Sequence, residues 1–226
     1  MMFRKPGKGT ITLLLITTTI SLLTVIYERI GINSLEIFSL NTSKFPDPYF
    51  WKYLTTGFII PPTNPTNLIF SLLGVYFLGS MTESVLSYKK LLILSFSSIL
   101  ISFLFTEIFS LIFGISKWFS PSYPFGLGVL FATLGSAYGR LMPQNNVNVM
   151  FLLPVKGKWF ATIPIAFILF DVLYGIAPTE GVLSILIATF IGWNFNWFMH
   201  SKYTITQFVT KSRYNIESKE KNKILN

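Results

Sequence analysis

The chain has 226 residues, of which 51% are apolar and only 12% charged, and its mean hydropathy is +0.57. A soluble domain carries roughly 25% charged residues, so this composition excludes an ordinary soluble globular protein. The net charge is +9 and cysteine is absent, which excludes disulfides, thiolate chemistry and cysteine-type metal sites.

Six apolar segments follow one another along the chain, at residues 10–27, 65–82, 91–113, 124–142, 159–176 and 181–199. Each has about 18 to 23 residues, enough to cross a hydrocarbon core of roughly 30 Å as a helix. Open strands are excluded because lipid offers no partners for their edge amides. The first segment has no small-residue cleavage site before Tyr27, so it is expected to be retained.

The sequence therefore predicts an all-α membrane protein with six transmembrane helices over residues 10–199. A basic N-terminus at 1–9 and a polar tail at 200–226 are both expected inside. In that arrangement fourteen of the 18 Lys and Arg residues lie on the inner side, as the positive-inside rule requires. The four outer ones are Arg29, Lys44, Lys52 and Lys117. The excess positive charge is expected to meet anionic lipid rather than nucleic acid.

The longest connection, residues 28–64, is rich in aromatic and proline side chains. It contains Phe45, Pro46, Pro48, Tyr49, Phe50, Trp51, Tyr53 and Phe58. Such residues favour the membrane interface, so part of this connection is expected to lie in the outer leaflet. On the inner side, Trp159 is expected to anchor at the interface while Lys156 and Lys158 extend their charged ends toward water.

Several short stretches between residues 50 and 198 resemble the core of the rhomboid intramembrane proteases. In the first half these are Trp51-Lys-Tyr-Leu-Thr-Thr-Gly-Phe58, Asn67-Leu-Ile-Phe-Ser71, and Phe77-Leu-Gly79 with Glu83. In the second half, Phe125-Gly-Leu-Gly128 through Gly135 has the spacing of the family's serine-bearing helix, and Pro154 to Trp159 precedes its last two crossings. The resemblance implies a six-helix rhomboid-like bundle with both ends inside.

The catalytic residues of that family do not carry over. Leu127 stands where the resemblance places the nucleophilic serine, and Ile185 stands at the histidine base. Asn67 and Ser71 replace the His and Asn that help to bind the oxyanion. The resemblance therefore implies a family member that lacks the catalytic residues, a pseudoprotease.

Elementary chemistry leads to the same expectation, because a serine hydrolase needs a base within hydrogen-bond reach of its hydroxyl. The single histidine, His200, follows the sixth segment at its inner end, about 20 Å in depth from Leu127. It is expected to be an interfacial residue. The remaining candidate for a catalytic pair is Lys117 with Ser120 or Ser122. No further catalytic residues accompany it in the sequence.

Polar residues inside the predicted spans need partners, because an unpaired charge in lipid costs a few kcal/mol. Glu107 and Asp171 are expected to be protonated or bonded to the first and fourth helices, with a proton path or a client-binding role as alternatives. Asn194 and Asn196 lie at i and i+2 and cannot face the same neighbour, so one of them is expected to face a partner.

Small residues recur on one face of the fourth segment, at Gly128, Ala132, Gly135 and Gly139. This spacing allows another backbone to approach closely. The resemblance places the sixth helix there, with Ala188 and Gly192 as a matching stripe. Val129 lies about 100° further round the helix and is expected to tolerate a larger side chain.

Three functions are left open by the sequence. The first is an inactive rhomboid-like protein that binds or stabilises transmembrane segments of other proteins, as derlins do, through a groove between the second and fifth helices and the aromatic outer connection. The second is a structural subunit of a larger membrane complex, and the third a divergent active rhomboid protease. No cofactor or metal is expected, and the membrane is either a bacterial inner membrane or an organelle membrane.

The charge distribution gives a test of topology. Single cysteines at Lys117 or Thr179 should react with a membrane-impermeant maleimide added outside, because both positions are on the side poor in basic residues. Cysteines at Asn145 or Lys211 should react only after the membrane is opened. Inverted labelling at any two positions would require a different number of crossings.

Overall fold

Residues 5–41, 47–60, 65–114, 126–149, 153–174 and 181–195 are described in a computed structural model of the chain. The chain divides into two units, Met1–Trp193 and Asn194–Asn226. Of the second, the structure describes Asn194 and Phe195, which end the last helix.

The described residues are mostly helical. The helices are α1 Lys8–Arg29, α2 Ser34–Phe38, α3 Trp51–Thr55, α4 Pro65–Glu83, α5 Tyr88–Phe113, α6 Leu127–Leu141, α7 Ile163–Leu173 and α8 Val182–Phe195. Single 3₁₀ turns cover Thr56–Phe58 and Gly157–Ala161. Two strands, β1 Asn146–Val149 and β2 Leu153–Lys156, form an antiparallel hairpin.

Each predicted apolar segment overlaps one of the longer helices, but the helices differ in length. By length and composition, α1 with 22 residues and α5 with 26 could cross a membrane. By contrast, α6 and α7 have only 15 and 11 residues. The predicted span 159–176 is shortened at its start because residues 157–161 wind as a 3₁₀ turn. Six crossings, and the side on which the ends lie, therefore stay predictions.

The N-terminus of α1 is held by the last residue of α4. The Glu83 carboxylate accepts hydrogen bonds from the backbone N–H groups of Gly9 and Thr10, both at 2.8 Å, and from the Thr10 hydroxyl at 2.6 Å. The first N–H groups of a helix have no partner within the helix and carry partial positive charge. A carboxylate satisfies both requirements, so Glu83 joins two helices that are distant in sequence.

Helix α6 lies at the centre of the first unit and packs on α4, α5, α7 and both 3₁₀ turns. Its glycines allow backbones to touch it. A Cβ added at Gly135 would lie 2.8 Å from the Phe160 carbonyl oxygen, and one at Gly139 would lie 2.9 Å from that of Gly157. These glycines therefore face the segment that leads into α7, and the expectation that they face the sixth helix is wrong.

Helix α8 also contacts α6, but on a different face. Gly192 of α8 lies directly against Thr133 and Ser136, and Ala188 is fully buried. Gly192 thus lies against α6 at residues other than Gly135 and Gly139. Val129 is also buried, at 0% exposure, so the expectation that it tolerates a larger side chain is unsupported by its packing.

The connection over residues 28–64, called the outer connection after its predicted side, packs against helices at several points. Leu40, Tyr53 and Phe58 belong to the buried core, and the Trp51 indole N–H donates to the Ile37 carbonyl at 3.3 Å. The exposed exception is a run of three aromatics, Tyr49, Phe50 and Trp51, which are 47 to 61% exposed. Of the other aromatic and proline residues expected here, Phe45 and Pro46 lie outside the described residues.

The hairpin between α6 and α7 was not anticipated. Asn146 pairs with Lys156 and Val147 with Val155, and the Gly157 N–H donates to the Asn145 carbonyl at 2.8 Å. The alternation Asn-Val-Asn-Val over β1 is the period-two pattern of a strand. The all-α prediction therefore holds for the bulk of the described residues and fails at this short connection.

Packing at Gly135 generates a stability prediction. Gly135→Leu would push a side chain into the Phe160 carbonyl, and a backbone group cannot rotate away, so the loss should exceed the roughly 1 to 3 kcal/mol of ordinary overpacking. Ala166→Leu, on an exposed position of α7, is the matched control and should change the melting temperature in detergent little. Equal melting temperatures for the two variants would contradict the central position of α6.

Candidate functional site

The outer connection meets the beginning of α6 through backbone contacts. The Gly126 N–H donates to the Thr56 carbonyl at 2.9 Å, and the Gly126 and Gly57 backbones touch so closely that a Cβ at Gly126 has no space. From α1, the Ser21 hydroxyl donates to the Phe58 carbonyl at 3.3 Å. The 3₁₀ turn Thr56–Phe58 is thereby fixed beside Leu127, where the resemblance places a catalytic serine.

Leu127 and Ile185 lie in an apolar environment. They are 5% and 6% exposed and belong to one buried cluster that also contains Val129, Leu130 and Ala188. The two positions that the resemblance pairs as nucleophile and base are therefore both part of the extended apolar core. Neither side chain can accept or transfer a proton, and the surrounding side chains exclude water from this part of the bundle.

The two positions of the family's oxyanion residues lie on α4. Asn67 is exposed and Ser71 is half-buried. Next to them on α4, Ile69, Phe70 and Leu73 are 44 to 59% exposed. This part of α4 presents a mainly apolar face with two polar groups.

Glu107 forms the most deeply buried carboxylate contact in the described residues. The Tyr53 hydroxyl of α3 donates to Oε2 of Glu107 on α5 at 2.6 Å, and the two residues are 4% and 1% exposed. Oε1 of Glu107 has no hydrogen-bond partner within the described ranges. The expectation that Glu107 bonds to the first or fourth helix is wrong, because its partner comes from the outer connection.

A buried ion pair stands beside this contact. Lys52 Nζ lies 3.0 Å from Asp47 Oδ2, with both side chains less than 10% exposed, and 4.9 Å from the centre of the Tyr49 ring. Burial, followed by the hydrogen bond and charge of Glu107, raises the pKa of Tyr53 above its usual range. Tyr53 therefore stays protonated and remains a donor to Glu107.

Polar groups elsewhere in the bundle bridge helices. The hydroxyls of Ser98 on α5 and Thr133 on α6 bond to each other, and the Thr82 hydroxyl of α4 donates to the Leu134 carbonyl of α6 at 3.2 Å. Interhelical hydrogen bonds of this kind stabilise helix contacts in apolar surroundings. They serve packing and bring no nucleophile near a base.

Some predicted positions lie outside the described residues, or have side chains that are not described. These are Lys117, Ser120, Ser122, Asn196 and His200, together with the side chain of Asp171. Within the part of the chain that the structure describes, no three His, Cys, Asp or Glu side chains come together as a possible metal site.

Comparison with known families identifies what kind of protein this is. Residues 8–212 match the family model described as "Eukaryotic integral membrane protein (DUF1751)". The chain belongs to this family. A search among curated proteins finds no match. Membership establishes an integral membrane protein of a eukaryotic family, and the description assigns the family no activity.

Sequence reasoning identified Glu107 as a group in need of a partner but missed Tyr53 and the ion pair of Lys52 with Asp47. A signal for Tyr53 exists, because a buried carboxylate requires a donor and the connection 28–64 contains two tyrosines, Tyr49 and Tyr53. Its distance of 54 positions from Glu107 conceals the pairing, since periodicity relates only neighbours within an element.

Removing the Tyr53 hydroxyl tests this contact. Tyr53→Phe should lower the free energy of unfolding by about 1 to 3 kcal/mol, because it leaves a buried carboxylate oxygen without its donor. Tyr49→Phe, in a ring that is 47% exposed, should have little effect on thermal unfolding in detergent. The double variant Tyr53→Phe/Glu107→Leu should recover part of the loss, and full additivity of the two changes would show that the groups do not interact.

Proposed function

We propose that the chain is a catalytically inactive rhomboid-like membrane protein that binds transmembrane segments of other proteins. The observation that carries the proposal is the burial of Leu127 and Ile185 in one apolar cluster. If the resemblance is correct, the catalytic centre has been replaced by packed side chains while the supporting helix α6 keeps its close backbone contacts.

The surface that would receive a client helix lies between α4 and α7. Both helices pack on α6, but within the described residues they do not pack extensively on each other. On α7, Leu169, Phe170 and Leu173 are 53 to 82% exposed. Together with the exposed residues of α4, these side chains would line an apolar groove that also contains the polar residues Asn67 and Ser71.

Other observations agree with such a role. Helix association in lipid depends on close packing and interhelical hydrogen bonds rather than on expulsion of water. A groove with apolar walls and a few amide or hydroxyl groups suits a client helix of modest polarity. The eukaryotic description of the family supports a membrane of a eukaryotic cell as the location, in preference to a bacterial inner membrane.

Site-specific photo-crosslinking in native membranes tests the groove. A photoreactive phenylalanine analogue at Phe70 and at Leu173 should give an adduct with the same membrane protein, and Leu169→Asn should weaken both adducts. The control position is Leu15 of α1, which is 63% exposed and should crosslink only lipid. Equal adducts from Leu15 would contradict a groove-specific interaction.

The chemical part of the proposal has a separate test. Purified protein should not be labelled by a fluorophosphonate probe, because a serine is reactive toward such a probe only when a base activates it. An active rhomboid protease labelled in parallel provides the positive control. Labelling that disappears when a single serine is replaced by alanine would establish a divergent active protease instead.

A further inference from the structure

The end of α6 and the connection from α6 to α7 carry positive charges and no negative ones. Arg140, Lys156 and Lys158 are all exposed, and the sequence contains no acidic residue from 108 to 170. These three cations therefore have no carboxylate close in sequence. Within the described residues, an ion pair forms between Lys52 and Asp47, which lie in the outer connection and not near these three cations in sequence.

Backbone hydrogen bonds hold these cations at one end of α6. The Lys158 N–H donates to the Pro143 carbonyl at 3.2 Å, and Gly157 lies against Gly139, the residue before Arg140. Lys156 is fixed by its pairing with Asn146 in the hairpin. The cations are thus presented by an ordered support.

Tryptophan rings accompany two of the three cations. Lys158 Nζ lies 5.4 Å from the centre of the Trp159 ring, and Trp159 is 52% exposed. The guanidinium carbon of Arg140 lies 5.2 Å from the centre of the Trp193 ring. Trp residues concentrate at the depth of lipid headgroups. A cation over a ring keeps its charge, so it can still attract an anion.

The carboxylate at the end of α4 does not compete for these cations. Glu83 accepts three hydrogen bonds from Gly9 and Thr10 at the beginning of α1.

We propose that Arg140, Lys156, Lys158 and Trp159, here called the hairpin surface, bind the headgroup of an anionic phospholipid. The cations contact the phosphate and any further acidic group, and the Trp159 ring lies beside the upper acyl chain.

The physical expectation is a local preference for anionic over zwitterionic lipid. Each basic residue close to an anionic lipid surface contributes about a fivefold preference, and the attraction falls as salt screens it. An ordered site differs from general attraction in depending on where the charges are. Removing two cations from the hairpin surface should therefore matter more than removing two elsewhere on the protein.

Spin-labelled lipids measure this preference with the full-length protein in phosphatidylcholine vesicles. The fraction of label restricted by the protein should be larger for spin-labelled phosphatidylserine than for spin-labelled phosphatidylcholine. The double variant Arg140→Gln/Lys158→Gln should reduce the preference at least several-fold at low salt. Arg140→Lys/Lys158→Arg, which keeps both charges, should retain most of it.

The matched control is Lys8→Gln/Lys89→Gln, which removes the same charge at the beginnings of α1 and α5. It should leave the preference nearly unchanged. An equal loss in the control would show attraction by net charge alone and would overturn the hairpin surface as a site. Equal restriction of the two lipids by the unaltered protein would overturn it as well.

Discussion

Close contact of backbones around α6 is the constraint on which the rest of the structure depends. Gly126, Gly135 and Gly139 admit the outer 3₁₀ turn and the segment before α7, and Gly192 brings α8 to the same helix. Association in lipid gains little from hydrophobicity, so such short distances supply the dispersion energy that holds helices together. Side chains at these positions would push three elements away from α6: the 3₁₀ turn Thr56–Phe58, the segment before α7, and α8.

Hydrogen bonds between polar groups on different elements are the second constraint on the structure. Glu83 and Glu107 each accept bonds from an element that is remote in sequence, and Ser98 bonds to Thr133 between α5 and α6. In apolar surroundings a polar group without a partner is costly, so these pairs select one arrangement of helices among several that would bury similar apolar area. Packing provides adhesion, and the polar pairs provide specificity.

The sequence predicts the helices well where a long apolar run decides the structure, as in α1 and α5. It predicts the closeness of backbones at Gly135 and Gly139 but not the partner, because spacing identifies a face without identifying what lies against it. The resemblance brought Leu127 and Ile185 into one region, and the structure places both in one cluster. The sequence did not predict the role of Tyr53, because it depends on a tertiary contact with Glu107. It did not predict the hairpin, because the alternating pattern of β1 is only four residues long.

The bond between Glu83 and Thr10 imposes an order on biosynthesis. Thr10 precedes Glu83 by 73 positions, so at roughly 5 to 20 residues per second the ribosome needs about 4 to 15 s to supply the acceptor after α1 has been made. During that interval the first amides of α1 must be satisfied by water or lipid headgroups. The first helix is therefore expected to remain near the membrane surface at that end, and to settle into its final position only when α4 is complete.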